Sequence, residues 1–314
     1  MSVPTIIDTD PGVDDAVALM LAAASPELQL LAVTTVFGNT GVEVTTANAL
    51  RLRALAGLDG LPVAAGAARP LVYPQVQRTD SWHGSDGLGG RADLLPEPIG
   101  AVHHCGAVTL MAELLHVAAV PVTLVAIGPL TNIALLLATH PGVKSRIDRI
   151  VIMGGRLSGL PAESNIRADP EAARRVLVEE DVPTTLVPLD LTLRATVGGA
   201  WLAELTAAGP RCATLAGVIE HYRERSRQTS GRDAVALHDP LAVLEAAVAG
   251  TLRVTSMPLE VVCDHGPTRG AVVAADGHQT GGRAVQVAVD ANLPAINAMI
   301  LDRLRDLEST GSGW

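Results

Sequence analysis

The sequence alternates between short apolar runs rich in β-branched residues and longer stretches in which apolar residues recur with helical spacing. The short runs predict strands at 3–9, 29–36, 62–65, 121–127, 149–153, 184–189, 259–264 and 284–289. The longer stretches predict helices at 13–24, 42–57, 107–118, 130–139, 169–180, 199–208, 211–227, 240–249 and 292–308. Because parallel strands are joined through helices that cover the sheet, this alternation predicts an α/β fold in which a mostly parallel, mixed central sheet carries helices on both faces.

The length of the chain and the lack of an internal repeat or linker predict a single domain over residues 1–314. Its core is expected to be aliphatic, because apolar residues make up 48% of the chain and aromatic residues 2%. Two segments without clear periodicity, 66–100 and 154–168, are long for loops, and loops of that length usually carry function. The polar tail, about 308–314, is predicted to be frayed.

The charge of the chain argues against several classes of partner. The formal net charge is −10 and no Arg-rich run forms a basic surface, so we expect no binding to nucleic acid or to an anionic membrane. No apolar stretch reaches the length of a membrane span, and the first residues lack the pattern of a secretory signal. Three scattered cysteines form neither a disulfide framework nor a zinc motif. The expected location is the cytoplasm.

Four carboxylates crowd the segment IIDTDPGVDDAVAL, residues 6–19. Asp8 and Asp10 lie at the end of the first predicted strand, where alternation makes them point the same way. Asp14 and Asp15 fall in the first turn of the following helix, where the helix dipole favours negative charge. Like charges this close repel one another, and partial burial adds to the cost. The cluster therefore indicates a bound hard cation such as Ca²⁺ or Mg²⁺, which prefers oxygen ligands.

A fifth carboxylate, Asp239, comes from the segment LHDPLAVLEAAVAG at 237–250. It precedes Pro240 at a predicted helix start, and a plain helix cap explains this arrangement about as well as a cation ligand does. In open parallel sheets, ligands bind beyond the carboxyl ends of the strands, where the first cluster also lies. Asp239 is therefore the best candidate for a further ligand of the cation.

Read together, DTDPGVDDA at 8–16 and HDP at 238–240 closely resemble the nucleoside hydrolase family of the inosine–uridine preferring type. Further segments resemble the family in the same order: VFGNT at 36–40, HGSDGLGG at 83–90, LVAIGPLTNIA at 124–134, IVIMGG at 150–155, ESNIRADPEAA at 163–173 and PLDLT at 188–192. The resemblance implies a Rossmann-like nucleoside hydrolase fold. It also implies hydrolysis of the N-glycosidic bond of ribonucleosides, which gives free base and ribose.

The resemblance implies Ca²⁺ as cofactor, held by Asp10, Asp15, Asp239 and the main-chain carbonyl of Ile127. Asp10 would also be the general base that activates the bound water. An unperturbed histidine titrates near neutral pH, which makes His238 a candidate acid for the leaving base.

A second group of residues would bind the ribonucleoside substrate. The resemblance places Asp14, Asn39, Glu163 and Asn165 at the ribose hydroxyls, Met153 close by, and His83 near the base. In addition, Tyr222 could reach the base and Trp82 could offer a stacking face. The family suggests a homodimer or a homotetramer.

The sequence departs from the family pattern at the expected ribose site. Ser164 stands where an aromatic residue usually lies between the Glu and the Asn, and GGRLSGLPAESN holds no upstream Asn for the ribose 5′-hydroxyl. Ser226 stands where a second Tyr often follows Tyr222. A 5′-modified riboside therefore stays open as the substrate. The choice between purine and pyrimidine bases depends on the loops around 72–90 and 222–237, and the sequence leaves it open.

Two alternatives to a nucleoside hydrolase follow from the same residues. The pattern Asp8-Thr9-Asp10 at a strand end is also the nucleophile pattern of Mg²⁺-dependent phosphohydrolases of the haloacid dehalogenase type. That class needs a lysine and a late acidic pair at the site, whereas Lys144 is the single lysine of the chain. The second alternative is a ribosyl-binding protein without turnover, which the serine at 164 and the missing Asn suggest.

A separate group of soft ligands, His103, His104 and Cys105, lies in AVHHCG at 101–106. We expect surface polar residues there rather than a metal site, because adjacent histidines on a helix point apart.

Overall fold

The computed structural model describes residues 2–74, 82–98, 100–275 and 283–309. In this part of the chain, nine strands form one sheet. They are β1 (Val3–Thr9), β2 (Leu28–Thr35), β3 (Val63–Ala65), β4 (Val122–Ala126), β5 (Ile147–Met153), β6 (Thr184–Val187), β9 (Leu252–Val261), β10 (Val272–Ala274) and β11 (Ala284–Ala291). Their order in the sheet is β10-β9-β11-β6-β5-β4-β1-β2-β3. From β3 to β11 the neighbouring strands are parallel, and β9 is antiparallel to both β10 and β11. The predicted mixed, mostly parallel sheet is therefore confirmed.

Helices cover both faces of the sheet because side chains alternate along each buried strand. The helices are α1 (Val13–Ala23), α2 (Val42–Ala56), α3 (Ala107–Val117), α4 (Thr131–Thr139), α5 (Ser164–Ala168), α6 (Pro170–Arg174), α7 (Leu189–Thr192), α8 (Gly199–Ala208), α9 (Pro210–Ser230), α10 (Asp239–Ala247) and α11 (Leu293–Ser309). Ile7 and Val125 belong to a core with α1, α2 and α8 to α11, whereas Ile6 and Leu124 belong to a core with α3, α4 and α6.

Several predicted boundaries differ from the structure. The strand predicted at 184–189 ends at Val187, because the short helix α7 follows it, and the strand predicted at 259–264 begins at Leu252. The helix predicted at 169–180 consists of α6 and a π-helical turn over Arg175–Glu179. These segments are four to ten residues long, too short for a hydrophobic period to fix their ends.

Several short elements, among them α7 and β10, have no counterpart in the predictions. Helix α5 lies in the predicted loop 154–168, and β7 (Thr196–Gly198) pairs with β8 (Ala234–Ala236) in a separate antiparallel ribbon. The predicted frayed tail at 308–314 falls mostly outside the described residues. Glu308 is part of α11, and its Oε1 accepts a hydrogen bond from Cys212 N over 2.6 Å.

Backbone hydrogen bonds join the loops that follow β1, β2 and β4 at one edge of the sheet. Ile127 N donates to Asp8 O over 2.8 Å, and Val36 N donates to Thr9 O over 3.1 Å. The polar ends of these strands therefore face a common space. Among the described residues, no helix has the length and apolar character needed to cross a bilayer.

Candidate active site

A pocket lies beyond the carboxyl ends of β1, β4 and β5, where the parallel sheet predicts a ligand site. It contains most of the predicted site residues, whereas Asp10 and Trp82 lie outside its wall. Leu189 also lines it, although the sequence predicts that residue as the end of a strand. The lining residues are Asp14, Asp15, Asn39, His83, Ile127, Met153, Glu163, Ser164, Asn165, Leu189, Tyr222, His238 and Asp239.

Three buried carboxylates meet in this pocket. One oxygen from each of Asp14, Asp15 and Asp239 lies within 4.8 Å of the others. Burial, followed by the charge of Asp15, raises the pKa of Asp14 to about 8. Burial also raises the pKa of Asp15 and, together with the surrounding carboxylates, that of Asp239. Burying several acidic groups beside one another is unfavourable unless a cation compensates them.

Asp10 lies directly behind this cluster and is 1% exposed. Its Oδ2 accepts a hydrogen bond from Asn39 N over 2.6 Å. Asn39 Nδ2 in turn donates to Asp10 O over 3.1 Å and to Asp15 Oδ2 over 3.2 Å. The backbones of Gly38 and Gly128 pack against the Asp10 carboxylate, and a Cβ atom at Gly128 would lie 2.7 Å from Oδ1. The lack of a side chain at both positions therefore leaves the space that the Asp10 carboxylate occupies.

The start of α1 fixes the orientation of Asp15. Thr9 Oγ1 donates to Asp15 Oδ1 over 2.5 Å, and Gly12 N donates to Oδ2 over 2.9 Å. An acidic side chain that accepts a backbone N–H of its own first turn is the usual capping arrangement. Asp15 therefore combines a structural role at the helix start with a place in the acidic cluster.

Glu163 and Asn165 line the pocket from the start of α5. The Glu163 carboxylate accepts N–H bonds from Asn165 and Ile166 over 2.8 and 3.1 Å and from Gly155 over 2.9 Å. Asn165 Nδ2 donates to the Ile127 carbonyl over 2.9 Å. The carbonyl predicted as a cation ligand is therefore within reach of the expected ribose residues, because α5 brings Asn165 over the end of β4.

Histidine and aromatic side chains form another part of the wall, and Trp82 lies just outside it. His83 Nδ1 accepts a hydrogen bond from Val13 N over 3.0 Å. The ring centroid of Tyr222 lies 5.5 Å from that of His83 and 5.7 Å from that of Trp82, which is 38% exposed. These residues come together although Trp82 and Tyr222 are far apart in the sequence, as expected for a site that holds a planar base.

His238 lies in the pocket, with Nδ1 2.7 Å from Thr192 Oγ1. Burial lowers the pKa of His238 to about 4. The expected titration near neutral pH is therefore wrong for this environment, since desolvation disfavours the charged ring. A neutral imidazole can still donate a hydrogen bond from one nitrogen.

Asp8, the fourth carboxylate of the first segment, points away from the pocket, toward the core that β1 forms with α3 and α4. The prediction that it points the same way as Asp10 is wrong, because β1 ends at Thr9 and strand alternation does not extend to Asp10. Its Oδ1 accepts hydrogen bonds from Thr34 Oγ1 over 2.6 Å and from Asn132 Nδ2 over 2.8 Å. Asn132 also donates to Thr35 O over 2.9 Å and accepts from Ala67 N over 2.9 Å. Asp8 thus supports the strand ends, and burial raises its pKa to about 7.

The group His103, His104 and Cys105 lies in a loop before α3. Because these residues are not on a helix, helical geometry does not point the two histidines apart, contrary to the prediction from the sequence. Their ligand atoms lie within 4.8 Å of one another, and the two rings are 4.5 Å apart. However, His103 Nδ1 accepts a hydrogen bond from Cys105 N over 3.3 Å. This local hydrogen bond explains why His103 and Cys105 lie close together without a metal ion.

The acidic pocket suits a hard cation. Its donor atoms are carboxylate oxygens and the Ile127 carbonyl, the ligand types of Ca²⁺ and Mg²⁺. Cysteine, which together with histidine would favour zinc or another soft metal, is absent from the pocket lining in the described part of the chain. The residues present therefore fit a divalent oxygen-liganded ion.

Comparisons with known proteins agree with this geometry. The family model for inosine-uridine preferring nucleoside hydrolase matches residues 5–298. The pyrimidine-specific ribonucleoside hydrolase RihA of Photobacterium profundum is 44% identical over 77% of this chain and 79% of its own length. RihA of Escherichia coli O17:K52:H18 (strain UMN026 / ExPEC) is 37% identical over 97% of this chain and 99% of its own length.

Solved structures share the whole fold. A plant nucleoside hydrolase matches with a TM-score of 0.90 at 28% identity, over 97% of this chain and 99% of that chain. The purine-preferring ribonucleoside hydrolase from Gardnerella vaginalis matches with a TM-score of 0.90 at 27% identity, over 98% of this chain and 100% of that chain.

The sheet, the acidic pocket at its edge and these matches define a nucleoside hydrolase, that is, a hydrolase of N-glycosyl compounds. More narrowly, the chain belongs to the inosine-uridine preferring nucleoside hydrolase family. The haloacid dehalogenase alternative finds no support in these matches.

Proposed function

We propose that the protein hydrolyses the N-glycosidic bond of pyrimidine ribonucleosides with the help of Ca²⁺. The observation that carries the proposal is the meeting of Asp14, Asp15 and Asp239 at the carboxyl ends of the strands, with Asp10 behind them. The capping role of Asp15 does not explain why the other two carboxylates are buried beside it, since burial raises the pKa of all three and so opposes their ionisation.

The residues that would hold the cation are Asp10, Asp15, Asp239 and the main-chain carbonyl of Ile127. When bound, such a cation lowers the pKa of a water molecule and fixes the position of the sugar hydroxyls. Asn39 supports this arrangement, because its hydrogen bonds to Asp10 and Asp15 hold the two carboxylates in one orientation.

Asp10 would accept the proton of the attacking water. The water oxygen forms a bond to the anomeric carbon of the ribose as the bond from that carbon to the base nitrogen breaks. Positive charge develops on the sugar during this step, as in other glycosyl transfers. Glu163 would place negative charge near the sugar and stabilise that state, and Asp14 would do so once a bound cation offsets the neighbouring carboxylates that raise its pKa.

The leaving base takes the electron pair of the broken bond and needs a proton or a hydrogen-bond donor. His238 and His83 both line the pocket and can supply one. Because the His238 ring is neutral at pH 7, its contribution would be donation from a neutral imidazole rather than from an imidazolium. Tyr222 and Trp82 would pack against the base on the same side.

The choice of pyrimidine bases rests on the relatives. The two RihA proteins, which are named as pyrimidine-specific, are 37% and 44% identical to this chain, whereas the purine-preferring hydrolase is 27% identical. The serine at 164 lines the pocket between two expected ribose residues. A 5′-modified pyrimidine riboside is therefore the second substrate to examine.

We also propose a cytoplasmic homodimer or homotetramer, on the strength of the family resemblance. Light scattering coupled to size-exclusion chromatography gives the mass of the assembly, and a monomer at working concentration would contradict this part.

The test is incubation of the purified protein with Ca²⁺ and a panel of uridine, cytidine, inosine, adenosine and their 5′-deoxy derivatives. Reducing sugar and free base are measured together. Release of both in equal amounts, fastest from uridine or cytidine, supports the proposal. Faster release from inosine would overturn the base assignment. No release from any member, with ribosides still bound, would instead support the ribosyl-binding alternative.

A further inference from the structure

Asn48 is a buried residue of α2 that lies outside the pocket wall, yet it touches two loops of the pocket. Its side-chain Nδ2 donates to Pro11 O over 3.1 Å and to Asp86 O over 2.8 Å. Pro11 lies between the catalytic carboxylates, whereas Asp86 belongs to the loop 83–90 that begins with His83. One amide group therefore joins the carboxylate side of the site to the base side.

The loop 83–90 holds its own shape through the Asp86 carboxylate. Asp86 Oδ1 accepts from Leu88 N and Gly90 N over 2.9 and 2.7 Å, and Oδ2 accepts from Ala92 N over 3.1 Å. The position of the loop 83–90 relative to the start of α1 depends on contacts with other segments, which involve Asp86 and Gly87. At Gly87, a Cβ atom would lie 3.0 Å from Pro11 O and 2.9 Å from Asn48 Nδ2. The Asn48 bridge thus lies where the backbones of the two loops pack closely together.

The second link between the loops determines the tautomer of His83. A backbone N–H can only donate, so the 3.0 Å hydrogen bond from Val13 N requires an unprotonated Nδ1. The same Nδ1 is 3.8 Å from Asp14 Oδ1, which would form an ion pair with a protonated ring. The shorter, better-defined hydrogen bond decides between the two. The proton of the neutral ring therefore belongs to Nε2, the nitrogen directed away from Val13.

We propose that Asn48 is a positioning residue for the leaving base. By tying Asp86 to Pro11, it keeps His83 against the start of α1, and Nε2–H is then directed at an acceptor atom of the base. This inference rests on the proposed function. It assigns Asn48 to the departure of the base, whereas the attack of water depends on the carboxylates.

The test compares two substrates in Asn48→Ala. Uridine needs help for its leaving base, whereas para-nitrophenyl β-ribofuranoside releases a phenolate that departs without a proton. We expect kcat/KM for uridine to fall about 10- to 100-fold, and that for the nitrophenyl riboside less than about 3-fold. An equal loss for both substrates, or none for either, overturns the proposal.

The matched control is Thr46→Val in the same helix. Thr46 is buried and hydrogen-bonds to Thr35 Oγ1 and Val42 O, which both lie outside the two pocket loops. We expect this variant to lose thermal stability and to keep the wild-type ratio between the two substrates. A changed ratio in Thr46→Val would show that any loosening of α2 has the same effect, and the proposal would fail.

A second readout does not depend on activity. The ¹⁵N resonances of the His83 ring, assigned by their loss in His83→Gln, report which nitrogen carries the proton. We expect the Nε2–H tautomer in the wild type and a mixture of tautomers in Asn48→Ala. An unchanged spectrum in Asn48→Ala overturns the positioning role. The two claims can fail separately. If the wild type cleaves neither substrate, but the His83 tautomer still differs between the wild type and Asn48→Ala as expected, the proposed function is refuted while the link from Asn48 to His83 is supported.

Discussion

The backbone of Gly128 lies so close to Asp10 that a Cβ atom at position 128 would be 2.7 Å from Oδ1 of the carboxylate. Real Cβ atoms do not approach an oxygen this closely, so a side chain at 128 would displace the acid. Glycine at position 128, in the loop after β4, therefore lets the backbone pack directly against Asp10, the proposed general base.

Gly128→Ala is expected to lower kcat for uridine by at least about 10-fold, because a displaced catalytic group loses its alignment. Gly60→Ala is the control, since nothing lies within 4 Å of a Cβ atom at that position. Steady-state kinetics and thermal unfolding of both variants check the prediction. Wild-type kcat in folded Gly128→Ala would contradict it.

Asp10→Asn is expected to keep the fold and lose turnover. The amide oxygen can still accept the hydrogen bond from Asn39 N, but it cannot take a proton from water. Loss of a general base costs about 10²- to 10⁴-fold in rate. Ribose release and riboside binding by calorimetry separate the two effects. A rate near that of the wild type would remove Asp10 from the role of base.

Asp239→Asn is expected to raise the stability of the protein in chelator and to abolish its stabilisation by Ca²⁺. Burial and the charges of Asp14 and Asp15 raise the pKa of Asp239, so without a cation this carboxyl group destabilises the folded state at neutral pH, and an amide does not carry that cost. In the wild type, Ca²⁺ at about 100 times its dissociation constant should stabilise the fold by about 2.7 kcal/mol. Unfolding curves with EDTA and with Ca²⁺ measure both effects. A wild-type response to Ca²⁺ in Asp239→Asn would contradict the ligand assignment.

Asp8 should make stability depend on pH. Its pKa is raised from 3.8 to about 7 by burial, so the folded protein binds this proton more tightly than the unfolded chain does. The resulting stability is fully present below pH 3.8 and is lost as the pH rises through about 7. At about 1.4 kcal/mol per pKa unit, the loss is on the order of 4 kcal/mol.

The variant Asp8→Asn isolates this contribution, because the amide oxygen can still accept from Thr34 and Asn132. The free energy of unfolding of the wild type, measured relative to this variant by urea titration in EDTA, is expected to fall between pH 4 and 8. A difference that stays constant over this range would show that Asp8 does not titrate as described.

Much of the fold follows from local sequence patterns, because the buried strands are apolar on both sides and the helices are long enough to show their period. The short helices α5 and α7 were not predicted, since four or five residues contain little more than one turn. Glu163 illustrates the cause. Its carboxylate caps α5 by accepting from the N–H groups of Asn165 and Ile166, and it also accepts from Gly155 N, a contact made only in the folded chain.

The candidate site can be predicted from the sequence only in part, because some of its contacts form only in the folded chain. The carboxylates Asp14, Asp15 and Asp239 carry a visible signal, since acidic residues cluster where an apolar strand ends. Asn48 carries none, because a single Asn in a helix reads as an ordinary polar residue. Its role depends on the approach of two loops that are far apart in the sequence. The low pKa of His238 likewise results from burial, which the sequence around it does not reveal.

The central claim is that the acidic pocket is a cation-dependent centre for ribonucleoside hydrolysis. The most direct measurement is the initial rate of ribose release from uridine by protein freed of metal with EDTA, verified by elemental analysis, before and after addition of Ca²⁺. We expect a fall of at least about 100-fold on metal removal and recovery of the rate with Ca²⁺. An unchanged rate in verified metal-free protein would contradict the account.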